Sequence, residues 1–431
     1  MQKAVWKILA ILQTGILSLS VIAQTPTPTP KPGITEKDLE KYTYYFDVTA
    51  NGLTGDGVRF LTDESRRNQY FILGEYHGSK RISEFTRAMI PILHESGYRH
   101  FGLEIGPVSV EILRELSKDP TTAIQNLSAF NSKFLERRGE RDFTPIPFFS
   151  NVEDAEFLVE ATKRKWSLIG LDQEFSFSYF PLLERMHEAL SKKRRAELGP
   201  RYDAARKDLE AIYRDDASRT RNPYIAISES AAVNSYLNDA SLGNPKNSVI
   251  ADAIRTTTEI YKNNASTIRK YYLANGTRVD YMKKNLTAGF SANRFDLKRD
   301  KMFLKMGAVH TGRGFSPLSL FEIGNTLSEL AAFNGNSSVH INFGSRFYTD
   351  GGKEVDALAD PAAFDYRFKA LLQMGRRDQW AVIDLRPLRE AVFYHRRFEL
   401  DEVVRDIWKN HDLFIIPKLD TDPTPNYTKK P

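Results

Sequence analysis

Glutamates, an aspartate and histidines stand at the ends of apolar runs in this chain, where general acid–base catalysis or metal ligation could use them. The run Phe71-Ile72-Leu73 leads into Gly74-Glu75-Tyr76-His77, and Met302-Phe303-Leu304-Lys305-Met306 leads into Gly307-Ala308-Val309-His310. Each reads as a buried strand that stops at a glycine and then presents a histidine. A histidine titrates close to working pH, and an adjacent carboxylate tunes it, which suits a general base. Glu75 and His77 alternate at a strand end, so they point to one side as a base–carboxylate pair or as two metal ligands. Further acids close Phe101-Gly102-Leu103-Glu104 and Gly170-Leu171-Asp172. A carboxylate in an apolar run is costly unless it is paired or functional, which singles out Glu104 and Asp172. Glu84 and Arg87, one turn apart, share a helix face. Arg313 follows His310 in a glycine-flanked loop, and Asp384 with Arg386 is a weaker strand-end pair. The histidines His94, His100, His187, His340, His395 and His411 lack this setting and read as structural or surface residues.

The elements that must position these groups are legible as short apolar runs separated by helical periodicity. Strands are predicted near Tyr70–Leu73, Phe101–Ile105, Ser167–Leu171, Met302–Met306, Val339–Phe343, Ala381–Leu385 and Leu413–Ile416. Amphipathic helices are predicted over Ser83–Ser96, stopped by Gly97, and over Val152–Lys165, entered through Asn151. Strand and helix alternating at this spacing predict an α/β fold, a mostly parallel sheet flanked by helices. Ligands bind outside the carboxyl ends of the strands of such sheets, so Glu75, His77, Glu104, Asp172 and His310 are expected to converge. Residues 181–295 show helical periodicity only and are expected to be a helical insertion, serving either as a cap over the strand ends or as a buttress away from them. The core then comprises 41–180 and 296–419, followed by a disordered tail, 420–431.

The N-terminus carries Lys3 and Lys7, an apolar stretch and Val21-Ile22-Ala23, the pattern of a secretory signal peptide over 1–23. A Thr/Pro-rich linker, 24–40, follows as an extended spacer. No stable membrane span is expected after cleavage. With Cys 0, a lipoprotein anchor, disulfides, thiolate metal sites and a cysteine nucleophile are all excluded. Export to the periplasm or beyond is therefore expected. The net charge of +6 comes without a basic stripe interleaved with aromatics, so no nucleic-acid partner is expected. The sequence has no Gly-x-Ser-x-Gly elbow, Walker loop, dinucleotide glycine fingerprint or His-Glu-x-x-His helix. A serine-nucleophile hydrolase and a cofactor-dependent oxidoreductase are disfavoured accordingly.

These residues together resemble the erythromycin-esterase family, within a wider group that includes ChaN-type haem-binding proteins and TraB/Tiki-type metalloproteases. The resemblance rests on Leu73-Gly74-Glu75-Tyr76-His77-Gly78, Glu84-Phe85-Thr86-Arg87, and Gly97 through Gly106 with Glu104. Gly170-Leu171-Asp172, Arg278-Val279-Asp280-Tyr281-Met282 and Gly307-Ala308-Val309-His310 extend it. Glu75 and His77 are separated by one residue, as in the ChaN-type proteins, where esterases have two. The resemblance implies hydrolysis of a small-molecule ester or lactone by activated water. His77 would be the general base, oriented by Glu75 or Glu104. Arg87 and His310 would donate to the oxyanion, and Asp172 would complete the catalytic set. In the metalloprotease variant, Glu75, His77, Glu104 and His310 would ligate a divalent metal such as Zn, Mn or Co. The ChaN-type variant implies haem binding without turnover.

Overall fold

A computed structural model describes residues 31–138, 141–217 and 222–428. The predicted signal peptide, the predicted linker up to residue 30 and residues 429–431 lie outside the described residues. Nine strands form one sheet. In chain order they are β1 (Thr43–Thr49), β2 (Gly52–Thr54), β3 (Tyr70–Glu75), β4 (Tyr98–Leu103) and β5 (Ser167–Gly170), then β6 (Lys301–Gly307), β7 (Ser338–Phe343), β8 (Trp380–Asp384) and β9 (Leu413–Ile416). Their order across the sheet is β2-β1-β8-β9-β7-β3-β6-β4-β5. From β9 to β5 every pairing is parallel, and the edge made by β2, β1 and β8 is antiparallel. The expected α/β architecture is present, with an antiparallel edge added.

β6 threads between β3 and β4, although more than a hundred residues separate it from either in sequence. Phe71, Phe303 and Phe101 occupy matching positions on these strands, and the Phe101 and Phe303 rings stack with centroids 4.7 Å apart. Register is set by such rows of buried side chains, because a slip of one residue would turn each strand's apolar set to the other face. With the phenylalanines aligned, Glu75 is placed opposite Gly307.

Between β5 and β6 the described residues are helical, including Tyr179–Glu188, Lys192–Ala217, Pro245–Asn264 and Tyr271–Ala292. Tyr271–Ala292 lies against the sheet, with Met282, Leu286 and Phe290 packed into a cluster that holds Ile169, Leu171 and Leu304. No helix among the described residues is long and apolar enough to cross a membrane.

Both chain ends depart from expectation. Within the predicted linker, Ile34 and Leu39 are buried in a cluster with Leu371 and Trp408, so chain from residue 34 onward belongs to the core. The tail predicted to be disordered is packed through residue 428. Asp420 and Asn426 are buried, Thr424 donates to Glu153, and the Asn426 amide donates to the Ser150 carbonyl. Its Pro/Thr/Asp composition signals an absence of regular secondary structure, but side-chain anchors hold it all the same.

Candidate active site

The site forms where β3, β6 and β4 end side by side. Glu75 is buried, and its Oε2 accepts from Lys305 Nζ at 2.5 Å. Lys305 is itself buried in β6, two residues before Gly307 and on the same face. Glu75 Oε1 accepts from His77 Nδ1 at 3.2 Å. Burial alone would push the Glu75 carboxyl up. The Lys305 ammonium and His77 overcome this and hold it below the usual range.

His77 Nε2 then faces Glu104 Oε2 at 3.8 Å. Burial would lower the imidazole pKa, but the hydrogen bond to Glu75 and the charges of Glu104 and Glu75 outweigh it, leaving a net rise. Phe148, at a left-handed φ of 62°, stacks on the ring with centroids 4.0 Å apart. The His77 side chain stays 40% exposed while both acids are nearly enclosed, so the imidazole is the member of the group that a solute can reach.

Glu104 is the hub. Its Oε2 accepts from the Gly307 amide at 2.5 Å and its Oε1 from Arg278 Nη2 at 2.9 Å. His310 Nε2 lies 3.6 Å from the same Oε1. His310 is buried, and its Nδ1 donates to Glu322 at 2.8 Å. Asp172 takes Arg278 from the other side, at 2.9 Å and 2.5 Å.

The two motif glycines have a steric purpose. A Cβ on Gly307 would stand 3.0 Å from His77 Nε2 and 3.3 Å from Glu104 Oε2. A Cβ on Gly74 would run into the Thr311 hydroxyl and the backbone of Ala308. Gly307 lets the imidazole and the carboxylate close over the end of β6, and Gly74 lets the segment after β6 fold back over β3.

No family model matches the sequence, and no curated protein matches it either. Solved structures do match. A mutant of the erythromycin esterase EreC in its open conformation superposes with a TM-score of 0.51 at 14% identity, covering 85% of this chain and 94% of that one. The chain has the erythromycin-esterase fold. A succinoglycan biosynthesis protein superposes with a TM-score of 0.53 at 13% identity, over 90% of this chain and 97% of that one.

On this erythromycin-esterase fold, Glu75, His77, Glu104 and His310 come together as expected, and Asp172 joins them only through Arg278. Arg87 does not. It lies eight residues beyond the helix cap Ser79, about 12 Å along the axis, where it donates to the Thr49 and Ala50 carbonyls and lies 3.6 Å from Glu156. Glu84 pairs with Arg81. Asp384 and Arg386 are removed as well. β8 runs antiparallel to β9 and ends opposite Leu413, at the opposite end of the strands from the site, where Arg386 pairs with Glu64. Arg313 is held bidentately by Asp412, a structural pair.

The donor set does not suit a metal. The oxygens of Glu75 are committed to Lys305 and His77, and those of Glu104 to Gly307 and Arg278. Two cationic side chains inside the cluster supply the countercharge that a divalent ion would bring. Among the described residues, no group of three or more His, Asp or Glu side chains is arranged to hold a metal ion.

Lys305, Arg278, Glu322 and Phe148 were not in the predicted site. A lysine inside an otherwise apolar strand needs a buried partner, and that signal could have found Lys305. Glu322, twelve residues after His310, and Phe148, in a Pro-rich loop, carry no comparable mark. The insertion contributes Arg278 directly, and Asn285 donates to the Leu171 carbonyl, so it buttresses the site from the β4–β5 side. The cleft that holds His77 is lined instead by the loops after β3 and β7 and by residues 420–423.

Proposed function

We propose that this protein is an exported hydrolase that cleaves an ester or lactone with water activated by His77. One observation carries the reading: a partly exposed imidazole is fixed between two buried carboxylates, over a glycine that permits the approach. Glu75 holds the Nδ1 proton and leaves Nε2 as the basic nitrogen. In the reaction Nε2 takes a proton from water, and the water oxygen bonds to the ester carbonyl carbon. The carbon–oxygen bond to the alcohol then breaks, and the imidazolium returns its proton to the departing alkoxide. Acid and alcohol result, and Glu104 stabilises the imidazolium in between. Arg278 supports the role first assigned to Arg87. Its Nε and Nη2 are held by Asp172 and Glu104, which leaves Nη1 for the developing oxyanion. No step needs a metal, so turnover of p-nitrophenyl acetate is expected to persist after dialysis against a chelator; its loss would remove this reading.

The acid limb of the pH profile is expected to report the raised His77 pKa. Since the neutral imidazole is the active form, kcat/KM should rise with pH to a midpoint above the ordinary value of about 6.5. Glu104→Gln withdraws a charge that favours the imidazolium, so the midpoint should move to lower pH. A profile unchanged by Glu104→Gln would show that Glu104 does not act on the base.

Export is tested separately. When the full chain is expressed in a secreting bacterium, intact mass and N-terminal sequencing are expected to give a mature protein starting at Gln24. A product retaining Met1 in the soluble cell fraction would contradict it.

A further inference from the structure

Beside the cluster lies a second cleft of about 370 Å³, within the range of small-molecule sites. The cleft holding His77 measures about 510 Å³. Tyr76, Phe343 and Phe368 line both, so the two clefts adjoin along these three side chains. Val309, Pro317, Val403 and Ile407 make the smaller cleft predominantly apolar. Of its lining Val309 is exposed, and so is Phe315, the sequence neighbour of Ser316, which packs edge-on against exposed Phe321.

One polar group in the smaller cleft is unaccounted for. His411 is 5% exposed, and neither of its ring nitrogens has a hydrogen-bond partner. Buried polar groups are otherwise satisfied as a rule. Burial, together with the charges of Arg313 and Arg389, holds its pKa at about 4, against the opposing pulls of Asp412 and of the Ile407 backbone. It is therefore a neutral imidazole, with one donor and one acceptor to offer. The charged residues around it discriminate too. Glu75, Glu402 and Asp406 line the cleft, whereas Arg313 is neutralised by Asp412. An anionic ligand is disfavoured on both counts.

We infer that this cleft is the acyl pocket of the enzyme, taking an uncharged, mainly apolar chain or ring whose single hydroxyl or carbonyl group pairs with His411. The inference rests on the hydrolase reading for the reaction, but the pocket can be tested without it. The probe is 1-octanol, titrated calorimetrically into the full-length protein. It is expected to bind wild type and His77→Ala alike, and Val403→Trp about tenfold more weakly because the indole fills the cleft. His411→Phe should bind it about fivefold more weakly, while toluene, which has no hydrogen-bonding atom, binds that variant as it binds wild type.

Absence of 1-octanol binding, or binding indifferent to Val403→Trp, overturns the inference even in a protein that hydrolyses esters. Binding with this pattern in a protein inert towards p-nitrophenyl acetate and octanoate keeps the pocket and removes the hydrolytic reading. In active protein, Val403→Trp should lower kcat/KM for the octanoate about tenfold and leave the acetate within about twofold. Equal loss on both esters overturns the assignment.

Discussion

His77→Ala should reduce kcat for a p-nitrophenyl ester by about 10²–10⁴-fold, the usual contribution of a positioned general base. The loss should fall on kcat more than on KM, because the imidazole acts on water in the transition state and adds little to ground-state binding. Folding should be nearly unaffected: the ring is partly exposed, and truncating it deprives Glu75 of one hydrogen bond while leaving it paired with Lys305. A far-ultraviolet spectrum and melting temperature close to wild type would therefore accompany the inactive variant. The gap left between Phe148 and Gly307 is shaped for an imidazole ring, so added imidazole should restore part of the rate. Wild-type turnover in His77→Ala would eliminate the proposed mechanism.

Lys305→Met should be the most damaging substitution for stability. It leaves the Glu75 carboxylate buried without its cation, and breaking a buried pair from one side typically costs about 3–5 kcal/mol. Asp154, whose carboxyl burial pushes up to about 6 against the pull of Lys305, would lose the same support. The sign of the pH dependence follows. In wild type the depressed Glu75 pKa contributes stability above the unfolded value of about 4.5, lost as pH falls through the folded value. In Lys305→Met, burial, the largest influence on Glu75, is opposed only by His77, and the folded pKa of Glu75 is expected to rise above the unfolded one. The deficit should then be largest at neutral pH and shrink as the medium is acidified towards pH of about 4.5. Adding Glu75→Gln to Lys305→Met should recover much of the loss, since a neutral amide needs no cation. Urea denaturation of the two variants at pH 7 and 5 checks each point, and a deficit that grows on acidification would contradict the pairing.

How far the chain could be read in advance depended on range. Strand-end groups were legible because a carboxylate or histidine closing an apolar run is a local contradiction of composition, and Glu75, His77, Glu104 and His310 all stood out that way. The insertion of β6 between β3 and β4 could not be read, since strand order is set by long-range register such as the Phe71, Phe303 and Phe101 row. Arg87 was misplaced by the same limit: an i, i+3 spacing shows that Glu84 and Arg87 share a face but not which way that face looks. The antiparallel course of β8 is invisible in Val382-Ile383-Asp384, because a buried strand reads alike in either direction. Glu322 carries no mark until the fold brings it to His310, and Arg278, though it opens a motif of the resemblance, shows its place only when the fold brings it to Glu104.

Asp420 bears on how this centre is assembled. Asp420 accepts from the Tyr76 hydroxyl at 2.9 Å and from Ser79, the cap of the helix behind His77, at 2.6 Å. The loop that carries the base is thus tied down by a side chain more than three hundred residues further along the sequence. The base is therefore positioned only once distant parts of the fold have docked on each other, and a proteolytic cut just before Asp420 would loosen the catalytic loop without touching the cluster itself.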